Sequence, residues 1–134
     1  MATLPTVLDQ GIGVRVNLVF SFPNENHRDI WETIFYGIKL AWVGVHNIVF
    51  LRFTPYPGSE YFELCRKRGQ IPPEGPEFDH FLISNVTGEL REVRRYTPYV
   101  SDRAVRYYLL LGTFLTQTAF ILRRPSRVLK TSLL

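Results

Sequence analysis

Between Val45 and Glu60 the chain runs from an apolar stretch through a rigid turn into a helix, an order that few folds accommodate. Val45, Ile48, Val49, Phe50, Leu51 and Phe53 form the near-continuous apolar run expected of a parallel strand covered on both faces. Pro55 and Pro57 then remove ladder donors and fix φ, which ends the strand. Gly58 supplies freedom at the bend, Ser59 is an N-cap, and Glu60 lies in the first helical turn. Strand-to-helix junctions of this kind are where parallel α/β proteins bind ligands.

The preceding residues supply the rest of a unit. Val14 to Phe22 reads as a buried strand through Val14, Val16, Leu18, Val19, Phe20 and Phe22, ended by Pro23. Asn26 caps the next helix, with Asp29 at the third position completing a capping box. That helix, His27 to Val43, carries Ile30, Ile34, Ile38 and Ala41 on one stripe, widened by Trp31, Phe35 and Trp42, with Glu32, Tyr36 and Lys39 opposite. Gly44 ends it and the second strand begins. Strand, helix and strand joined this tightly make a βαβ unit with parallel strands. Glu60 to Arg68 adds a helix stopped by Gly69 and Pro72-Pro73, giving β-α-β-α and the α/β class.

The flanking regions are less patterned. Ala2 to Gln10 is either a helix end or an extended lead-in, closed by Gly11 and Gly13. Gln70 to Asp79 reads as a surface connection, Phe81 to Val86 as a short strand, and Thr87-Gly88 as a turn. Ser101 or Asp102 caps a final helix, Arg103 to Leu122, whose apolar face holds Val105, Tyr108, Leu109, Gly112, Leu115, Ala119 and Leu122. Leu111, Phe114 and Ile121 flank that face, Arg106, Thr113, Gln117 and Arg124 oppose it, and Val128 to Leu134 forms an apolar-basic tail. The resulting organisation is an α/β layer over residues 1–80 and a mainly helical extension over 81–134. Thr113, Thr116, Gln117 and Thr118 interrupt the apolar run from Leu109 to Leu122, which falls short of the roughly 20 residues a spanning helix needs. A core or inter-domain helix and an interfacial membrane helix flanked by arginines are the two readings.

At 134 residues, 46% hydrophobic and 21% charged, the chain is of single-domain size and too apolar for wholesale disorder. Cys65 is the one cysteine, so an internal disulfide is excluded, and no Cys/His cluster has metal-ligand spacing. Met1 to Leu8 lacks the basic start and long apolar core of a signal peptide, and a cytoplasmic location is the expectation. The net charge of +4 is unevenly placed: nine Lys or Arg from Arg91 onward face only Glu92 and Asp102, a local balance of +7. Such an end suits a membrane surface, an acidic partner domain or simply solvent. Nucleic acid fits less well, because the basic residues are not interleaved with an aromatic platform.

No catalytic constellation can be assembled from the residues alone. Gly11-Ile12-Gly13 precedes a strand instead of opening a helix, so it is no phosphate loop, and no nucleophile elbow is present. His27, His46 and His80 are scattered, Cys65 reads as a buried inert thiol, and Glu60 with Glu63 reads as an exposed helix face. What remains is the pair of strand ends, Ser21 to Asn26 and Phe53 to Ser59, which a parallel sheet brings side by side.

Gly11-Ile12-Gly13-Val14, Phe20-Ser21-Phe22-Pro23-Asn24-Glu25-Asn26, then Asp29, Thr33 and Ile34, and then Phe53-Thr54-Pro55-Tyr56-Pro57-Gly58-Ser59 resemble the distal half of a radical S-adenosylmethionine enzyme core. Leu122 to Arg127 further resembles the tail of the class with a cobalamin-binding domain. The resemblance implies a partial (β/α) TIM-like barrel in which Val19, Ser21 and Phe22 on one strand end, and Phe53, Thr54 and Pro55 on the next, face the adenosine of S-adenosylmethionine. Glu25 is expected to order its own turn. Ser21 and Asn24 stand where the family has glycine, and Asn24 is the expected left-handed residue. The family's Cys-x3-Cys-x2-Cys ligands for a four-iron four-sulfur cluster have no counterpart, since one thiol cannot hold such a cluster. The implied partner is therefore the N-terminal half of the barrel or a split-gene subunit carrying it. A non-catalytic module that docks on a membrane surface, peripherally at its inner face, or on a partner domain through the basic amphipathic helix is the alternative role. Alone, the chain is expected to be inactive and, with an open sheet edge and exposed apolar surface, to self-associate or be only marginally stable.

Overall fold

The computed structural model describes residues 3–87, 95–123 and 125. Among them lie a short helix α1 (Thr3–Asp9), strand β1 (Arg15–Phe20), helix α2 (His27–Val43), strand β2 (Asn47–Arg52), and helices α3 (Glu60–Lys67), α4 (Pro76–Thr87) and α5 (Asp102–Arg123). The two strands pair in parallel, Arg15 opposite Asn47 through Phe20 opposite Arg52. One further bond continues the ladder, from the Phe53 N–H to the Phe20 carbonyl at 2.7 Å.

Local chemistry sets the boundaries of α2. The Asn26 side chain accepts from the Arg28 and Asp29 N–H groups, and Asp29 accepts from the Asn26 N–H at 2.9 Å, closing the capping box. At the other end Gly44 takes φ 116°, where a Cβ is disfavoured, and its N–H returns to the Leu40 carbonyl. The Arg123 guanidinium donates to the Ala41 carbonyl at 3.3 Å, so the end of α5 also caps the end of α2. The Tyr108 hydroxyl shares a 2.8 Å hydrogen bond with His27 Nδ1 at the helices' other ends, and α2 and α5 therefore lie side by side in the same direction.

These two helices cover one face of the sheet. Val16, Leu18, Ile48 and Phe50 alternate onto that face and meet Ile30, Ile34, Leu40 and Ala41 of α2 and Val105, Leu109 and Ala119 of α5. The centre of contact is Phe50. A Cβ on Gly37 of α2 would lie 2.8 Å from its ring and 3.0 Å from Leu18, and one on Gly112 of α5 would lie 3.2 Å from it. Both helices are bare where the ring sits, which lets them approach a flat two-stranded sheet closely.

Several expectations are corrected. Among the described residues the strands are covered on one face only: Arg15, Asn17, Val19, Asn47, Val49 and Leu51 alternate onto the other, where Val19 keeps 39% and Leu51 42% of its surface exposed. The reason is that both sheet-packing helices are on the same side. The expected strand over Phe81 to Val86 is instead part of α4, started by Pro76 with Glu77 and Asp79 in its first turn and seated by Phe78, Phe81 and Leu82 at helical spacing. On α2, Phe35 and Trp42 do not widen the core; they are 61% and 51% exposed. On α5, Leu122 is likewise exposed, while Thr116 is buried and returns its hydroxyl to the Gly112 carbonyl at 2.9 Å. α1 is helical, and α4 crosses residue 80, where the sequence reading divides the chain. Gly88 of the expected turn and the Val128 to Leu134 tail lie outside the described residues.

Substitution of Gly37 tests the central wedge. Alanine raises helix propensity by about 1 kcal/mol but forces the Phe50 ring or Leu18 to move, an overpacking cost of roughly 1–3 kcal/mol. Gly37→Ala should therefore lower stability in urea titrations, Gly112→Ala should be milder, and Phe50→Leu should relieve Gly37→Ala. Equal stability of Gly37→Ala and the parent would overturn the close-packing account.

Candidate functional site

The carboxyl ends of β1 and β2 open into the two loops that carry the sequence signature. The first turns sharply at Ser21, the one non-glycine residue with positive φ among those described, at 70°. Asn24, expected to take that conformation, does not. The difference follows from where the chain must turn: it leaves the ladder immediately after Phe20, three residues before Asn24. A left-handed serine is strained by roughly 1–2 kcal/mol.

Glu25 holds this turn. Its carboxylate accepts from the Ser21 N–H at 2.6 Å and the Phe22 N–H at 3.1 Å, both short enough for charge-assisted bonds. Burial nevertheless pushes the Glu25 carboxyl above its ordinary value, outweighing those two N–H groups, and Asp29 adds in the same direction. The loop is tied outward as well, since the Glu25 carbonyl accepts from the Thr97 hydroxyl at 2.6 Å and the Pro23 carbonyl from Arg68 at 3.2 Å.

The second loop is ordered by its helix. Ser59 caps α3, accepting from the Phe62 N–H at 3.2 Å and donating its hydroxyl to the Tyr56 carbonyl at 2.8 Å. Gly58 turns the chain at φ 89°.

Aromatic rings join the two loops. Phe22 and Phe53 lie 4.8 Å apart, Tyr61 of α3 closes on both at 5.7 and 5.5 Å, and Tyr96 meets Phe53 edge-on at 5.8 Å. Phe53, Cys65, Phe81 and Tyr96 make a second core that closes over the strand ends, backed by Phe22, Ile71, Phe78 and Leu82. Sequence reading did not find this second core. Its members are scattered from residue 22 to residue 96 and show no shared period, so only the fold assembles them.

The six expected site residues thus have different surroundings. Val19 lies on the uncovered sheet face, and Phe22 and Phe53 stack on each other. Ser21 is only 2% exposed, and its hydroxyl has no hydrogen-bond partner among the described residues. Pro55 is fully buried, and Thr54 beside it is half-buried. Beside β1 a cleft lined by Leu18, Val19, Glu25, Asp29, Glu32, Thr33 and Tyr36 runs along the outer side of α2.

The donor set does not suit an iron–sulfur cluster. Cys65, the single thiol, is buried and shifted upward by that burial, far from the exposed thiolate that ligation requires. No group of three or more His, Cys, Asp or Glu side chains that could hold a metal ion occurs among the described residues. Arg124, Ser126 and Arg127 of the Leu122 to Arg127 segment that resembles the cobalamin-binding class lie outside those residues. Comparison with known families, characterised proteins and solved structures finds no match to the chain.

Two substitutions probe the turn. Ser21→Gly should stabilise the protein by up to about 1 kcal/mol, because glycine accepts the left-handed conformation and no hydroxyl hydrogen bond is lost. A clear loss of stability would instead reveal a partner for the hydroxyl. For Glu25, a folded-state value above the unfolded one favours the protonated form, so its contribution is full below the ordinary glutamate value and declines as pH rises through the raised value. Glu25→Gln should flatten stability over that window, measured as the urea midpoint against pH. An unchanged profile in the variant would remove Glu25 as the source.

Proposed function

We propose that this chain supplies the distal, adenosine-facing part of a radical S-adenosylmethionine barrel, with the cluster-bearing strands contributed by residues or a chain outside those described. The observation that carries the reading is the parallel β1-α2-β2 unit with one uncovered face, whose strands end in the two loops that resemble the family. In a closed barrel the inner faces of the strands are lined by side chains and the helices lie outside. In such a barrel Val19, Val49 and Leu51 would line the inside, and α2 and α5, packed on the other face of the sheet, would lie outside.

Each residue then has a limited role. Val19 offers apolar surface at the mouth, and Ser21 offers a buried hydroxyl with unused hydrogen-bonding capacity. Phe22 and Phe53 already pack against each other, tilted by 38° at 4.8 Å, so they form the floor beneath an adenine and do not sandwich it. Glu25, engaged by two N–H groups, fixes the turn and takes no part in proton transfer. The cluster and S-adenosylmethionine would supply the radical chemistry in the assembled enzyme. None of it is assigned to this chain, whose single buried thiol cannot ligate the cluster. The cobalamin-binding class remains part of the same proposal.

Titrating S-adenosylmethionine into the isotope-labelled chain should move amide signals of residues 19–22 and 53–55, and Val19→Arg should weaken that response. Shifts confined to other residues, or none at these positions, would overturn the assignment. Reconstitution with iron and sulfide should yield no reductive cleavage of S-adenosylmethionine by the chain alone, and deoxyadenosine formation would show a self-contained active site.

A further inference from the structure

The outer surface of the helix layer faces away from the sheet and carries an unusual share of apolar side chains. On α5, Tyr107, Leu110, Phe114 and Ile121 project opposite the buried row of Val105, Leu109, Gly112, Thr116 and Ala119, and Phe114 is 67% exposed. α5 is therefore apolar on both sides, one used by the core and one by nothing among the described residues. On α2, Phe35 and Trp42 add to the same surface. Phe35 stacks on Trp31 at 5.7 Å, Trp31 meets Tyr108 at 5.6 Å, and Tyr108 meets Tyr107 at 6.0 Å, so the exposed rings of the two helices are joined by a continuous aromatic bridge. A solvent-facing surface of this kind marks a binding face.

Charge decides what covers it. α5 carries Arg103 and Arg106 at its start and Arg123 at its end, and Arg124, Arg127 and Lys130 follow in sequence. The acidic groups on the two helices are all engaged: Asp29 by the Asn26 N–H, Glu32 by Arg28 at 3.2 Å, and Asp102 by the Arg95 N–H at 2.7 Å. A second copy of the chain would set this basic surface, with Arg103 and Arg106, against its own copy, which like-charge repulsion disfavours. An anionic bilayer complements the same surface. Its headgroups meet the exposed Arg103 and Arg106 at the start of α5, while Trp42, Tyr107, Leu110 and Phe114 enter the headgroup boundary, where such rings are favoured.

We propose that the outer face of α2 and α5 docks on an anionic lipid bilayer, lying in its surface. α5 is long and apolar enough to cross a membrane by length and composition. The fold opposes spanning, because removing α5 from the sheet would uncover Phe50 and take Gly112 and Thr116 out of their contacts. The inference is independent of the adenosine-facing role, which uses the opposite side of the molecule.

Co-sedimentation of the full chain with vesicles tests it. The chain should bind vesicles of phosphatidylcholine mixed with an equal amount of phosphatidylglycerol, and bind pure phosphatidylcholine at least about tenfold more weakly. Leu110→Ser/Phe114→Ser, both at exposed positions, should abolish sedimentation with an unchanged circular dichroism spectrum. Arg103→Glu/Arg106→Glu should reduce it by about tenfold or more. Absence of binding to the mixed vesicles, or full binding by the folded Leu110→Ser/Phe114→Ser variant, would overturn the proposal. So would a lipid-free dimer in analytical ultracentrifugation that this variant dissociates, since it would assign the face to a second copy.

Discussion

The fold depends on one ring being clasped from two sides. Phe50 projects from the middle of β2 into the gap where Gly37 of α2 and Gly112 of α5 leave no side chain, with Leu18 of β1 beside it. A two-stranded parallel sheet is marginal by itself, and α5 is separated from the βαβ unit by a long intervening segment. The phenyl ring joins all of these: it binds strand to strand through Leu18, and both helices to the sheet through the two glycines. The ends of the clasp are closed by polar contacts, Tyr108 with His27 at one end and Arg123 with the Ala41 carbonyl at the other. The hydrophobic contact sets the spacing and the polar ones set the register.

A different compromise operates at the strand ends. Ser21 occupies a conformation suited to glycine, and its buried hydroxyl is unpaired, so two unfavourable features fall on one residue. Glu25 offsets them by collecting the two N–H groups that the turn would otherwise strand, at the expense of burying a carboxylate. The Thr97 hydroxyl then fastens the Glu25 carbonyl to the segment leading into α5. The strain is held by contacts from both halves of the chain, which is the condition under which a strained residue persists.

The sequence made the βαβ unit legible because every signal there was local. Asn26 with Asp29, Gly44, and Ser59 with Glu60 punctuate it, and the parallel pairing follows from the short connections. Which faces are covered was not legible. An apolar run such as Val45 to Phe53 looks the same whether one or two layers pack on it, and the side chains of Val49 and Leu51 do not reveal that nothing covers them. Phe81 to Val86 was misread because aromatic and branched residues suit a strand, whereas Pro76 and the spacing of Phe78, Phe81 and Leu82 suit a helix and prevail. At the strand ends the sequence located the two loops and the role of Glu25. It put the left-handed residue at Asn24 because composition favours asparagine there, although the geometry of leaving the ladder requires Ser21.

Among the described residues the sheet carries α2 and α5 on one face, and both the other sheet face and the far side of these helices expose apolar side chains. These sides are linked energetically even though they lie apart. Val49 and Leu51 on the uncovered sheet face flank Phe50 in β2, and Phe50 holds the helices whose far sides carry Phe35, Tyr107, Leu110 and Phe114. Anything that binds the folded chain on one side stabilises the whole clasp by mass action, including the surface presented on the other. A covering on either side would therefore add to the stability of the clasp as well as engage a partner.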